Sequence, residues 1–213
     1  MSIPLISVII PVFNRERTLG RAIWSLQAQT YTNWEALIVD DGTTDKSLAL
    51  ALSHARLDPR IRLLVRENGG VSAARNHALS YVRGSYITFL DSDDEYTPTH
   101  IHLRANYMEK HSEVDILEGG LMVIGNPYVP DRHDNSKLIN VADCITAGTI
   151  FARSEAVKKV NGFRPIPYSE DADLIDRAQT LGLHVEHFSA QTYVYHREDN
   201  LSITRQFAHT LQI

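Results

Sequence analysis

The stretch "GSYITFLDSDD", residues 84–94, passes within a few positions from an apolar run to a cluster of carboxylates. Tyr86, Ile87, Thr88, Phe89 and Leu90 are aromatic, β-branched or apolar, the pattern of a strand buried on both faces. Asp91, Ser92, Asp93 and Asp94 follow at once. Like charges this close repel and raise each other's pKa values, so the segment needs a nearby cation or an opening into water. In open parallel sheets ligands bind in the crevice beyond the carboxyl ends of the strands. The boundary at Asp91 is therefore both a strand end and a candidate site edge.

The chain on the N-terminal side repeats this design. "ISVIIPV" (6–12), "WEALIV" (34–39) and "IRLLV" (61–65) read as further strands. Leu19, Ala22, Ile23 and Leu26 recur at helical spacing, as do Leu48, Leu52 and Ala55. Val71, Ala74, Ala78, Leu79 and Val82 predict a third helix stopping near Gly84. Strand and helix alternate, which predicts βαβ units on a parallel sheet. Beyond residue 95 the rhythm loosens. Thr97 is expected to cap a helix with Pro98 at its first position, carried by Ile101, Ala105 and Met108. "VDIL" (114–117), "LMVIG" (121–125) and "GTIFA" (148–152) read as strands, and 126–140 as a loop. "SEAVKKV" predicts a short helix stopped at Asn161-Gly162, and "DADLIDRAQTLG" another. "HVEHF" and "TYVY" predict short strands. Neither repeat nor linker divides the chain, so one domain over residues 1–213 is expected.

The 213 residues suffice for one α/β core, and 43% hydrophobic content is ordinary for a globular protein. No apolar run is long enough to cross a bilayer. The N-terminal run lacks a basic flank and a cleavage site, so it reads as a strand and not a signal peptide. A net charge of −5 argues against a nucleic-acid footprint. With Cys144 as the one cysteine there is no internal disulfide or CxxC zinc site. These features fit a cytoplasmic setting, with peripheral contact at an inner membrane face left open. The ten histidines show no metal-ligand spacing.

Polar clusters fall at three expected strand ends. Pro11, Phe13 and Asn14 follow the first strand, Asp40-Asp41-Gly42 the second, and Asp91 to Asp94 the fourth. Asp-Asp-Gly is also good turn chemistry, and Phe13 could be core. Closely spaced carboxylates suit Mg²⁺ or Mn²⁺, which commonly share their shell with substrate phosphates. "SEDADL" (169–174) places Glu170, Asp171 and Asp173 at a helix start, where acids also favour the dipole. His196 and Ser202 lie in "YHREDNLS" (195–202).

Taken together, "SVIIPVFNRERTL", "SLQAQTYTNWEALIVDDGTTD", "NGGVSAARNHAL", "GSYITFLDSDD", "AGTIFARSEAVKKVNGF" and "SEDADL" resemble a family 2 glycosyltransferase of the GT-A fold across roughly residues 5–200. The resemblance implies a three-layer α/β/α domain around a mostly parallel, mixed central sheet. Residues 1–95 would form the nucleotide-binding half and 96–213 the acceptor-binding and catalytic half. It implies a nucleotide-diphospho-sugar donor, a UDP-sugar first among candidates, with Mn²⁺ or Mg²⁺. The acceptor would be a glycan, a lipid-linked or another hydroxyl compound, as in polysaccharide biosynthesis. By resemblance, Pro11, Phe13 and Asn14 line the nucleotide site, and Asp41 bonds the base with Asp40 assisting. Asp91, Ser92 and Asp93 match the DXD motif, with Asp93 the direct metal ligand and Asp91 a ribose or metal-water contact. Asp171 matches the catalytic base of an inverting transfer. His196 and Ser202 match a motif that reaches the metal or diphosphate. A nucleotidyltransferase is the competing enzyme, but "PVFNRERTLG" lacks a Gly-rich phosphate loop. A nucleotide-sugar-binding module without turnover is the competing non-enzyme.

Overall fold

The computed structural model describes residues 3–134 and 136–197. Its framework is a seven-stranded sheet with β1 (Ile6–Val12) near the centre. β1 pairs in parallel with β2 (Trp34–Asp41) on one side and β4 (Tyr86–Phe89) on the other. β3 (Ile61–Arg66) lies parallel outside β2. On the other flank β10 (Phe151–Arg153) runs antiparallel to β4 and to β6 (Ile116–Glu118), and β11 (Val185–His187) lies parallel to β6. A smaller sheet carries β12 (Tyr193–Arg197) between β5 (Glu95–Tyr96) and β7 (Leu121–Gly125).

Alternation along β1 shows why its run is continuously apolar. Ile6, Val8 and Ile10 pack on one face with α1 (Leu19–Gln27), α2 (Ser47–Leu57) and α4 (His100–Lys110). Ile9 packs on the other face with α3 (Val71–Leu79), α5 (Ser154–Lys159) and α6 (Glu170–Thr180). A strand covered on both faces needs apolar residues at every position. The result is the expected three-layer α/β/α arrangement.

The same register opens the site. β1 pairs with β2 through Val12 but with β4 only as far as Ile9 opposite Phe89. Beyond that point the two strands part. Pro11 stands where β1 has lost one neighbour, a position that tolerates the missing N–H. The crevice lies at the change in strand order, where parallel sheets bind ligands.

Several expected boundaries shift. α2 buries Ser47 and Ala51, while Leu52 is exposed. Ser47 Oγ accepts the Arg15 backbone N–H at 2.7 Å, and this tie turns the helix away from its apolar stripe. The third helix ends at Leu79, well short of Gly84. α4 starts at His100, because the Thr97 carbonyl accepts the His100 N–H in a turn ahead of it. Residues 126–140, expected as loop, contain the hairpin β8 (Tyr128–Pro130) and β9 (Leu138–Asn140). Its prolines and polar residues mask one apolar cross-strand pair, Val129 with Ile139. "GTIFA" is only partly strand: 147–149 form a 3-10 turn before β10. Gly148 is required there, since a Cβ would sit 1.9 Å from the Tyr193 ring.

Candidate active site

A cavity of about 630 Å³ occupies the crevice beyond β1, β2 and β4. The hairpin β8–β9 and the start of α6 wall its far side. Pro11, Phe13, Asn14, Asp41, Asp91, Ser92, Asp93, Asp171 and His196 all line it. Residues as far apart in sequence as Pro11 and His196 thus meet because two sheet ends and one helix start converge. Asp40 is not among the lining residues; it is buried, and its Oδ1 has no partner among the described residues. Ser202 lies outside the described residues.

At one end of the cavity Phe13 is 45% exposed, an aromatic face left uncovered by the fold. Asn14 adopts a left-handed conformation (φ 53°). Its Oδ1 accepts the Thr44 N–H at 2.9 Å, which ties the β1 loop to the β2 loop. Asp41 accepts hydrogen bonds from Arg66 and from the Gly70 N–H at 2.8 Å, and so fixes the entry to α3. Gly42 allows this approach: its φ is 75°, and a Cβ would lie 2.8 Å from the Asn68 nitrogen.

The carboxylates of the acidic turn are directed three ways. Asp91 pairs with Arg75 at 2.8 Å. Asp93 faces Arg15 at 3.4 Å, and its carbonyl accepts from Arg21. Asp94 turns fully inward, where it accepts the Tyr193 hydroxyl at 2.6 Å and the His196 N–H at 2.8 Å. Tyr193 Oη also accepts the Asp91 N–H at 3.3 Å, so one buried phenol clamps the turn to β12. Burial pushes the Asp93 carboxyl up, with Arg15 pulling against it. Burial, reinforced by Asp93 and Asp91, holds Asp94 well above the usual carboxylate range. The repulsion is thus offset by arginines at Asp91 and Asp93, and at Asp94 by burial that favours the neutral carboxyl.

Two cavity-facing carboxylates and an imidazole offer the donor chemistry of a divalent cation site. His196 Nε2 lies 2.6 Å from Glu95 Oε1, while its buried Nδ1 has no partner among the described residues. Among the described residues no group of three or more His, Cys, Asp or Glu side chains could hold a metal ion by itself. That set fits a cation completed by phosphate oxygens better than a closed protein cage.

Asp171 faces the cavity from the first turn of α6. Its Oδ2 accepts the Ala147 N–H at 3.1 Å and its Oδ1 the Ala172 N–H at 2.8 Å. Burial, then the charge of Glu170, raises its pKa to about 7, against the pull of Arg75. Asp173 points elsewhere and pairs with Arg177 at 2.8 Å. Cys144 also lines the cavity, but burial pushes its thiol up to about 11, far from the thiolate a nucleophile needs. The arrangement places a carboxylate with a pKa near neutrality on the wall of a carboxylate-rich pocket. Sequence reading passed over Arg15, Arg75, the hairpin and the Tyr193 clamp. Arg75 left a signal: it lies on the same helix face as Ala74 and Ala78, and a charge on a buried face demands a partner.

The architecture matches solved glycosyltransferase structures. Staphylococcus aureus TarS, residues 1–349 in complex with UDP-GlcNAc, superposes with a TM-score of 0.76 at 20% identity, covering 93% of this chain and 60% of that one. The mannosyltransferase PcManGT of Pyrobaculum calidifontis, in complex with GDP-Man and Mn²⁺, gives 0.71 at 19% identity, covering 91% and 57%. The fold is therefore that of a GT-A glycosyltransferase. Residues 7–153 match the family described as Glycosyl transferase family 2, and the chain belongs to that family. EpsE of Bacillus subtilis (strain 168), named as a glycosyltransferase, is 29% identical over 98% of this chain and 78% of its own length. Escherichia coli WfgD, named UDP-Glc:alpha-D-GlcNAc-diphosphoundecaprenol beta-1,3-glucosyltransferase, is 37% identical over 57% of this chain and 47% of its own length. The chain thus spans about half of that relative. Among the described residues no helix is long and apolar enough to cross a membrane.

Proposed function

We propose that the chain transfers a hexose from a nucleotide-diphospho-sugar to an acceptor hydroxyl with inversion at the anomeric carbon. The observation that carries this reading is Asp171, a buried carboxylate on the wall of the cavity that also holds Asp41, Asp91 and Asp93, with its pKa raised by burial to about 7. A general base works best with a pKa near the working pH. In this reading Phe13 stacks on the base, while Pro11, Asn14 and Ser92 shape the nucleotide pocket. Asp41 accepts from the base with oxygens it shares with the α3 entry, and Asp91 reaches the ribose. A divalent cation, Mn²⁺ or Mg²⁺, held by Asp93, Asp91 and His196 would supply charge stabilisation for the leaving diphosphate.

Asp171 removes the acceptor hydroxyl proton. That oxygen forms the new bond to the anomeric carbon as the bond to the diphosphate breaks, and the diphosphate leaves with the electron pair. One displacement without an enzyme nucleophile inverts the configuration. The chain would act as one catalytic unit, with donor contacts before residue 95 and the base and acceptor wall after it. The UDP-GlcNAc bound to TarS and the UDP-Glc in the name of WfgD favour a UDP-sugar. The latter name also favours a lipid-linked or glycan acceptor, as in polysaccharide biosynthesis.

A thermal-shift screen of UDP-, GDP- and dTDP-sugars with Mn²⁺ tests the donor, because a ligand that binds the native state raises the melting temperature. Stabilisation by UDP-sugars above the others, with slow UDP release, supports the reading. Stabilisation without any release of UDP across an acceptor panel would reduce the protein to a binding module.

A further inference from the structure

We infer that Arg75 is a positioning residue whose single buried guanidinium joins the end of β4 to the start of α6 and sets the basicity of Asp171. This deepens the proposed function and rests on Asp171 being the base. The Arg75 side chain is 4% exposed. One terminal nitrogen donates to Asp91 at 2.8 Å and the other to Glu170 at 2.7 Å. Its Nε has no hydrogen-bond partner among the described residues, and the Phe163 ring lies 5.1 Å from the guanidinium carbon. So shielded from water, the cation acts strongly on charges around it. Burial opposes that charge, but Asp91 and Glu170 outweigh it and hold the group protonated.

The groups acting on Asp171 come from several elements. Glu170 lies beside it on α6, while Arg75 on α3 and Asp91 at the end of β4 act on it through their charges. Cys144 and Tyr168 lie near it on the cavity wall, both with burial holding them in their neutral forms. Asp131, Arg132, His133 and Asp143 complete the titratable lining on that side. Of these, Arg75 is the cation that lowers Asp171, and Glu170 is the carboxylate that most raises it. The two are bonded to each other, so each tempers the other's effect. A purely structural role and an electrostatic one then predict different things. Arg75→Met removes that ion pair and Glu170→Gln reduces it to a neutral hydrogen bond, so structural damage would move Asp171 the same way in both. Charge balance moves it in opposite directions.

The test is a carbon-13 NMR titration of aspartate-labelled protein between about pH 4 and pH 9, with Asp171→Asn identifying the Asp171 carboxyl resonance. The expected midpoint is near 7 in the wild type. Arg75→Met should raise it by about one pH unit or more, and Glu170→Gln should lower it by a similar amount, the usual size of a nearby charge effect. The double variant should return toward the wild-type value. If Arg75→Met does not fold, Arg75→Lys should leave the midpoint near wild type, and Glu170→Gln alone must still lower it. A wild-type midpoint near 7 that neither substitution moves, or that both move the same way, overturns the inference and leaves the proposed function standing. A midpoint at the ordinary aspartate value overturns both.

Discussion

Tyr193→Phe isolates the clamp between the acidic turn and β12, because it removes one oxygen and keeps the ring. The ring still fills the space against Gly148 and still meets Tyr96 edge-on at 5.8 Å. Lost are the 2.6 Å hydrogen bond to Asp94 and the 3.3 Å acceptor for the Asp91 N–H. A hydrogen bond between neutral groups contributes about 0.5–1.5 kcal/mol net, and a buried polar group left short of a donor costs about 1–3 kcal/mol. The second contact is long and adds little, so the expected loss is about 1–3 kcal/mol. For a domain of this size that lowers the melting temperature by roughly 2–12 °C. The pH dependence has a definite sign. Burial raises the folded-state pKa of Asp94, so stability from this group is complete below its unfolded pKa and declines as pH rises through the folded value. The phenol resists that decline by donating to the ionised carboxylate. The deficit of Tyr193→Phe should therefore grow in chemical denaturation as pH rises through the folded-state pKa of Asp94. A variant that melts within about 1 °C of wild type at every pH, or whose deficit is larger in acid, would refute the clamp.

Asp171→Asn should gain stability relative to wild type as pH rises. The folded Asp171 pKa is raised to about 7, so the wild type loses stability between its unfolded value near 4 and about 7 while the amide loses none; equal pH profiles in urea titrations would contradict this. Asp93→Ala should abolish the difference in UDP-induced thermal shift between Mn²⁺ and EDTA, and an unchanged difference would remove Asp93 from the cation site. Phe13→Ala should barely affect melting, since the ring is 45% exposed, yet weaken nucleotide binding by about 1–3 kcal/mol, the range for base stacking on an aromatic ring. Unaltered UDP affinity by calorimetry would return Phe13 to the surface.

The parallel half of the sheet was legible because strands covered on both faces must be apolar throughout, and "ISVIIPV" and "YITFL" have no other good reading. The nine residues singled out along the cavity were legible for a related reason: polar groups at the ends of such strands have few places to go. What escaped depends on contacts across the chain. The pairing of Arg75 with both Asp91 and Glu170 spans up to 95 residues, and no local pattern encodes it. The inward turn of Asp94 is set by Tyr193, 99 residues away. Val129 and Ile139 are one apolar pair in a polar stretch, too short a period to read as strand. The α2 face followed a backbone tie at Ser47 over its leucines.

The central claim, that Asp171 is the base, is tested most directly by the rate of nucleoside diphosphate release from a bound sugar donor. Water can stand in for the acceptor hydroxyl, and donor affinity can be measured on the same samples. Wild-type kcat/KM should rise with pH and level off above about 7. Asp171→Asn should bind donor as wild type does and release nucleotide about 10²–10⁴-fold more slowly, the usual contribution of a general base. Near-normal release by Asp171→Asn, or a wild-type rate that is flat from about pH 5 to pH 8, would contradict the account.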